Sequence, residues 1–128
     1  MPILRLDHVQ LAMPKGGEDR AREFYSGLLG IPEVPKPAAL AARGGAWFES
    51  GELKVHLGVD PDFRAARKAH PAFRVRGLGE LVGRLAAAGV EVAGEDGSVG
   101  PAHVYVADPF GNRSELIACE DGKEEPCV

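Results

Sequence analysis

Two stretches of the chain share one order of predicted elements, which is a strand, a helix and then three strands. The first stretch covers about residues 3–59 and the second about residues 70–119. The repeat lies in the order of elements rather than in the residues themselves. Because 128 residues is an ordinary size for one domain, we expect a single domain over residues 1–120, built from two modules, and a polar tail at 121–128.

The elements are predicted from hydrophobic spacing and from glycine and proline positions. Alternating apolar and polar side chains predict strands, whereas apolar side chains three and four residues apart predict helices. In the first module these signals give a strand at 3–12, a helix at 18–29, an irregular or edge segment at 33–43, and strands at 45–49 and 53–59. In the second module they give a strand at 70–76, a helix at 79–88, and strands at 90–92, 102–107 and 112–119. A charged connector at 60–69 joins the modules.

This order predicts an α+β fold of two paired βαβββ modules. Their strands are expected to form a curved mixed sheet around a cavity, with the helices on the outside. A ferredoxin-like sandwich is the main structural alternative. It uses fewer strands than the chain provides, and this weighs against it.

Composition excludes several classes of partner. A net charge of −4 without a basic stripe predicts no nucleic-acid partner. No apolar run approaches the roughly 20 residues needed to cross a bilayer, and the charged N-terminus is unlike a secretory signal. Two cysteines, Cys119 and Cys127, give no disulfide framework and are typical of a reducing compartment. We therefore expect a cytoplasmic protein.

Three of the four histidines and one glutamate occupy matched places in the modules. His8 opens the first module, and His56 lies 48 residues later near its end. His70 opens the second module, and Glu115 follows 45 residues later. A pseudo-two-fold pairing of the modules would bring all four side chains to one axis. Imidazoles with a carboxylate suit Zn, Ni, Fe or Mn. The alternative is that these histidines are merely hydrogen-bonded strand residues.

Four segments of the sequence resemble the vicinal oxygen chelate superfamily, which includes glyoxalase I, extradiol dioxygenases and bleomycin-resistance proteins. These segments are LDHVQLAM, REFYSGLLGI, AHPAFRV and DPFGNRSELI, and the resemblance covers about residues 3–119. It implies a divalent metal held by His8, His70 and Glu115. His56 stands where glyoxalase I has a glutamate ligand. It is therefore expected to act as a fourth ligand or as a general base near neutral pH.

Other polar and aromatic side chains are candidates for binding substrate. The arginines suit an anionic substrate, the tryptophan could stack, and the others could donate hydrogen bonds. The set is Gln10, Trp47, Arg74, Tyr105 and Arg113. Two alternatives stay open, since Trp47 could pack in the core and Arg113 could be a solvated hairpin residue. The DPFGN turn is expected to be structural.

The leading functional hypothesis is a metal-dependent glyoxalase-like enzyme, a lyase or isomerase, acting on a small substrate with vicinal oxygens. The first alternative is an extradiol-type dioxygenase or a thiol transferase. The second is a metal-free, antibiotic-binding protein of the bleomycin-resistance kind, or a scaffold that has lost its metal. The resemblance also makes a homodimer plausible, because many relatives build their sites between chains.

Overall fold

The structure is a computed structural model that describes residues 1–95 and 102–119. The chain divides into two compact units, Met1–Ala65 and Ala66–Val128. Each unit contains one four-stranded mixed sheet, so the predicted α+β class with two modules is confirmed. The predicted tail at 121–128 lies outside the described residues.

The first unit has short helical segments and a sheet whose first and last strands are neighbours. Its elements are β1 (Val9–Met13), α1 (Glu18–Ala21), a π-helical segment (Arg22–Leu28), β2 (Glu33–Val34), α2 (Ala38–Ala41), β3 (Ala46–Ser50) and β4 (Leu53–Val59). The strand order is β1-β4-β3-β2. β1 runs parallel to β4, and the other pairs are antiparallel.

The second unit repeats this topology. Its elements are β5 (Ala72–Val75), α3 (Leu78–Ala87), β6 (Val92–Glu95), β7 (His103–Ala107) and β8 (Arg113–Ala118). The strand order is β5-β8-β7-β6, with β5 parallel to β8 and the remaining pairs antiparallel. The predicted order of elements is therefore present in both units.

The first strand of each unit is shorter than its alternating pattern predicts. β1 begins at Val9 instead of residue 3, and the preceding Ile3 and Leu6 are 78% and 88% exposed. β5 begins at Ala72 instead of residue 70. Alternation makes a segment able to form a strand, but a strand also needs a hydrogen-bonding partner. His8 and His70 consequently lie just before their strands rather than within them.

The first predicted helix changes character halfway along its length. The amide of Leu29 donates to the carbonyl of Phe24 at 2.9 Å, a span of five residues that is typical of a π-helix. Phe24 and Tyr25 are both buried, and Tyr25 stacks on Phe48 of β3 with ring centroids 5.5 Å apart. The segment at 33–43 contains α2 in addition to a short edge strand, and β6 begins two residues later than predicted.

One face of each sheet forms the core and leaves the other face polar. In the first unit Phe48, Val55 and Leu57 are at most 1% exposed. In the second unit Leu116 and Val106 are buried, and α3 packs on this sheet. Burying an apolar side chain of this size stabilises the fold by about 1.5–3 kcal/mol. Because side chains alternate along a strand, the polar residues between these positions lie on the opposite face.

The described residues bear on two expectations from composition, one about membrane spans and one about the cysteines. No helix among these residues is long and apolar enough to span a membrane. Cys119 does not carry a free thiol. Cys127 lies outside the described part of the chain.

Two glycines around β3 allow a test of the packing. Both have positive φ, +85° at Gly45 and +60° at Gly51. A Cβ at Gly45 would lie 2.1 Å from the carbonyl oxygen of Leu57, whereas one at Gly51 would meet nothing within 4 Å. We expect Gly51→Ala to cost about 1–2 kcal/mol, since only backbone strain is added. Gly45→Ala should cost more than about 3 kcal/mol, because β4 must also shift.

Urea unfolding of the two alanine variants measures this difference in the free energy of unfolding. Equal losses in both variants would show that Gly45 does not approach β4 so closely.

Candidate functional site

Three predicted site residues are neighbours on the polar face of the first sheet. His56 lies on β4, opposite Gln10 of β1 and opposite Trp47 of β3. The parallel and antiparallel ladders on either side of β4 fix this arrangement. His56 is therefore placed at the centre of the sheet, and only 5% of it is exposed.

The ring of His56 stacks on two other aromatic rings. Its centroid lies 4.0 Å from that of Trp47 with an interplanar angle of 4°. It lies 4.4 Å from the centroid of His8 with an interplanar angle of 23°. Trp47 is half-buried and stacks on His56, while the adjacent Phe48 packs in the core. These contacts hold the plane of the imidazole ring.

A carboxylate that was not predicted from the sequence determines which nitrogen of the neutral ring carries the proton. Nε2 of His56 donates to Oε2 of Glu49 at 2.7 Å. Because a carboxylate can only accept, the proton of the neutral imidazole is on Nε2, and Nδ1 carries the lone pair. Glu49 lies two residues after Trp47 in the same strand, so strand alternation alone would have placed it on this face.

His8 has a carboxylate partner of its own. Its Nδ1 donates to Oδ1 of Asp7 at 2.9 Å, which leaves Nε2 as the nitrogen able to bind a metal. This hydrogen bond is the main cause that lowers the pKa of the Asp7 carboxyl below its ordinary value, and the charge of Lys54 acts in the same direction. Asp7 therefore stays ionised beside His8 at neutral pH.

The second unit gathers four other predicted residues on its polar face. Tyr105 of β7 lies opposite Glu115 of β8 in the antiparallel ladder. His70 reaches the same place from the residues before β5, with Nε2 3.4 Å from Oε1 of Glu115. The guanidinium of Arg113 lies 4.7 Å from the centroid of the Tyr105 ring.

The proton of His70 is on the opposite nitrogen from that of His56. Its Nδ1 donates to the carbonyl of Lys68 at 2.8 Å. Nη2 of Arg113 also lies 3.3 Å from this nitrogen, but a nitrogen that carries a proton cannot accept from Arg113. We assign the shorter bond to Lys68, and Nε2 then faces the Glu115 carboxylate with its lone pair.

Two acceptor atoms that face each other at 3.4 Å suit a shared cation. Two ligand atoms of a tetrahedral zinc ion, each at about 2.0–2.2 Å, are about 3.3–3.5 Å apart. The backbone bond to the far nitrogen of His70 is the usual support for a metal-binding imidazole. Within residues 1–95 and 102–119, however, no group of three or more His, Cys, Asp or Glu side chains could hold a metal ion. The pair fits a metal, and the larger ligand set stays a prediction.

The two predicted arginines differ in their surroundings. Arg113 packs on Tyr105, and its Nε is buried without a hydrogen-bond partner in the described structure. Arg74 is exposed, and its Nη1 donates to the carbonyl of Ala118 at 3.5 Å. Arg113 thus belongs with His70, Tyr105 and Glu115, a group of four that we call the His70 cluster. Arg74 instead bonds to a residue of β8 that lies three positions beyond Glu115.

The DPFGN turn holds the start of β8 in place. Oδ1 of Asp108 accepts from the amides of Phe110 and Asn112 at 2.9 and 2.8 Å, and Oδ2 accepts from the side chain of Asn112 at 2.9 Å. Gly111 has φ of +92°. The predicted structural role of this turn is confirmed, and Glu115 follows it by three residues.

Comparisons with known proteins agree on one family. The model of the glyoxalase-like domain matches residues 11–117. A glyoxalase family protein from Bacillus anthracis is 42% identical, with 92% of this chain and 97% of that chain covered and a TM-score of 0.86. No protein with a curated function matches the sequence significantly.

Two more distant structures share the fold alone. The fosfomycin resistance protein FosX from Listeria monocytogenes is 19% identical, covers 93% of this chain and 96% of its own, and has a TM-score of 0.74. A glyoxalase/dioxygenase from Nostoc punctiforme is 20% identical, covers 91% of this chain and 92% of its own, and also has a TM-score of 0.74.

The opposite tautomers of His56 and His70 can be tested in one spectrum. Long-range ¹H–¹⁵N correlation on the metal-free protein at neutral pH should show His56 protonated on Nε2 and His70 on Nδ1. Glu49→Gln should weaken the preference at His56, because an amide accepts less strongly than a carboxylate. It should leave His70 unchanged as an internal control. A wild-type His56 protonated on Nδ1 would contradict the pairing with Glu49.

Proposed function

Because the chain belongs to the glyoxalase-like domain family, we propose that it is a metal-dependent enzyme. Its substrate is a small molecule with two adjacent oxygen atoms, and its chemistry is that of a lyase or isomerase. The observation that carries the proposal is the pair of facing acceptors, Nε2 of His70 and Oε1 of Glu115, 3.4 Å apart.

The proposed metal ligands are His70 and Glu115, and the family resemblance adds His8. Both histidines have their Nδ1 proton held by an acceptor, Asp7 for His8 and the carbonyl of Lys68 for His70. Each therefore has Nε2 available, and imidazole with carboxylate is compatible with Zn, Ni, Fe or Mn. When bound, the metal supplies Lewis-acid stabilisation of negative charge that develops on a substrate oxygen, worth several kcal/mol.

His56 is proposed as the group that accepts the substrate proton. Its Nε2 is held by Glu49 at 2.7 Å, so Nδ1 is the atom that takes up the proton. The carboxylate then stabilises the imidazolium that forms, as an acidic partner does in other histidine-based sites. Stacking on Trp47 and His8 keeps the ring oriented while its charge changes.

Substrate contacts are proposed for side chains on the same polar faces. Gln10 lies opposite His56, and the Tyr105 hydroxyl with the Arg113 guanidinium belongs to the His70 cluster. Arg113 would hold an anionic oxygen of the substrate. Trp47 contributes its ring, whereas Arg74 is proposed only as a peripheral charge because of its bond near the end of β8.

One observation favours the alternative chemistry. Glu49 holds Nε2 of His56, so the one nitrogen left to bind a metal is Nδ1, the atom that is proposed to take up the proton. A centre of His8, His70 and Glu115 without His56 is the ligand set that the resemblance associates with ring-cleaving dioxygenases and thiol transferases. Extradiol-type dioxygenase or thiol-transferase activity is therefore the second candidate. A metal-free binding protein is the third candidate. It ranks last because it requires His70 and Glu115 to face each other without a cation between them.

Metal content tests the ligand pair. In protein purified without a histidine tag, His70→Ala and Glu115→Gln should each weaken metal affinity by more than about 10–100-fold. Changes in the outer shell alone have effects of that size, and these variants remove direct ligands. Elemental analysis and metal titration measure the loss, and affinity should also fall on acidification because a ligating histidine must be unprotonated.

His103→Ala is the matched control, since it removes another histidine of the same sheet that is not a proposed ligand. Unchanged metal stoichiometry in both ligand variants would exclude the pair as a metal site.

Turnover measurements test the proposed role of His56. His56→Ala should leave metal content intact and lower turnover by a factor on the order of 10² to 10⁴, the usual contribution of a general base. The substrate panel starts with the hemithioacetal of methylglyoxal and glutathione, followed by catechols and by epoxides supplied with a thiol. Loss of metal from His56→Ala, together with its retention in His56→Glu, would instead identify His56 as a fourth ligand.

A further inference from the structure

A cavity of about 270 Å³ lies in the first unit, beside the polar face of its sheet. Side chains of β1, β3 and β4 and of the segment around α2 surround it. Its polar lining comes from Gln10, Lys36 and Arg43, and its apolar lining includes Leu40 and Trp47. The volume suits a small molecule rather than a polymer.

The lining is positively charged although the whole chain has a net charge of −4. Lys36 and Arg43 supply two cations, and the lining residues include no carboxylate. Glu18 of α1 lies near the wall, with Oε2 3.9 Å from the position of a Cβ built on Gly44. When its charge is counted, two cations still stand against one carboxylate among these residues.

Both cations are available to a ligand. The Lys36 ammonium donates one hydrogen bond to the carbonyl of Gly44, and this bond fixes the position of the ammonium. The other N–H donors of Lys36 remain for a ligand. Arg43 is exposed. No salt bridge between described residues uses either side chain. A concave surface with charge of one sign concentrates counter-ions of the other sign.

A glycine makes room for the third polar group. A Cβ at Gly58 would lie 2.4 Å from Nε2 of Gln10, so only a residue without a side chain allows the amide to rest over β4. The amide nitrogen of Gln10 then adds N–H donors to the two cations. Trp47 also lines the cavity and stacks on His56, so this one residue borders both the cavity and His56.

We propose that this cavity binds the oxyanion group of a small molecule, namely a carboxylate or a phosphonate. Lys36 and Arg43 supply the charge, and Gln10 supplies a directed hydrogen bond. The inference rests on the proposed function only in treating the bound molecule as the substrate. It adds that the substrate carries an anionic group, which is held beside Trp47, the side chain that stacks on His56.

Calorimetric titration of the full chain, treated with EDTA, tests the binding itself. The probes are lactate, methylphosphonate and, as a neutral analogue, lactamide. We expect both anions to bind and lactamide to bind at least about tenfold more weakly. Lys36→Met and Arg43→Met should each weaken anion binding about tenfold or more, the effect of losing a hydrogen bond to a charged group. Equal binding of lactamide would overturn the proposal.

Lys15→Met is the matched control, because it removes the same charge from an exposed position that does not line the cavity. If it weakened binding as much as Lys36→Met, the effect would be general electrostatics, and the assigned site would be wrong. Gln10→Ala removes the amide and should weaken anion binding, and Gly58→Ala should weaken it in the same direction, because the end of the Gln10 side chain must shift. Unchanged affinity in both would overturn the role of Gln10.

Circular dichroism confirms that each variant is folded before its affinity is compared. The titration uses neither metal nor turnover. Its failure would therefore leave the His70–Glu115 pair standing, and a protein that binds no metal would leave the anion site standing.

Discussion

The parallel pairing of the first strand with the last strand of each unit determines where the two polar clusters lie. It places β4 and β8 inside their sheets, so that each is flanked on both sides. His56 and Glu115 are on these inner strands and have sheet neighbours in two directions. A side chain at such a position can be oriented by several others, whereas an edge position offers fewer partners. The two clusters are products of this topology.

In both clusters a hydrogen bond fixes one nitrogen of a histidine, but the nitrogen that is fixed differs. Glu49 fixes Nε2 of His56, whereas a backbone carbonyl fixes Nδ1 of His70. In both clusters the other nitrogen of the neutral ring keeps its lone pair. We propose that this lone pair takes up a proton at His56 and binds a metal at His70.

Much of the fold could be predicted because it depends on side-chain alternation, which is local in the sequence. The polar faces carrying His56 and Glu115 and the turn before β8 follow from such patterns. The start of β1 could not be predicted, since residues 3–8 have the alternation of a strand but strand pairing in their unit begins at Val9. Glu49 was missed because its contact with His56 depends on the register of β3 against β4. Such pairing is not visible in either strand alone.

The stacking of Trp47 on His56 also gives the protein an internal optical probe. Trp47 is the only tryptophan in the chain, and its ring lies 4.0 Å from the imidazole that is proposed to take up a proton. An indole in contact with an imidazolium has a different emission from one in contact with a neutral imidazole. Intrinsic fluorescence can therefore follow the charge of a single side chain, without any attached label.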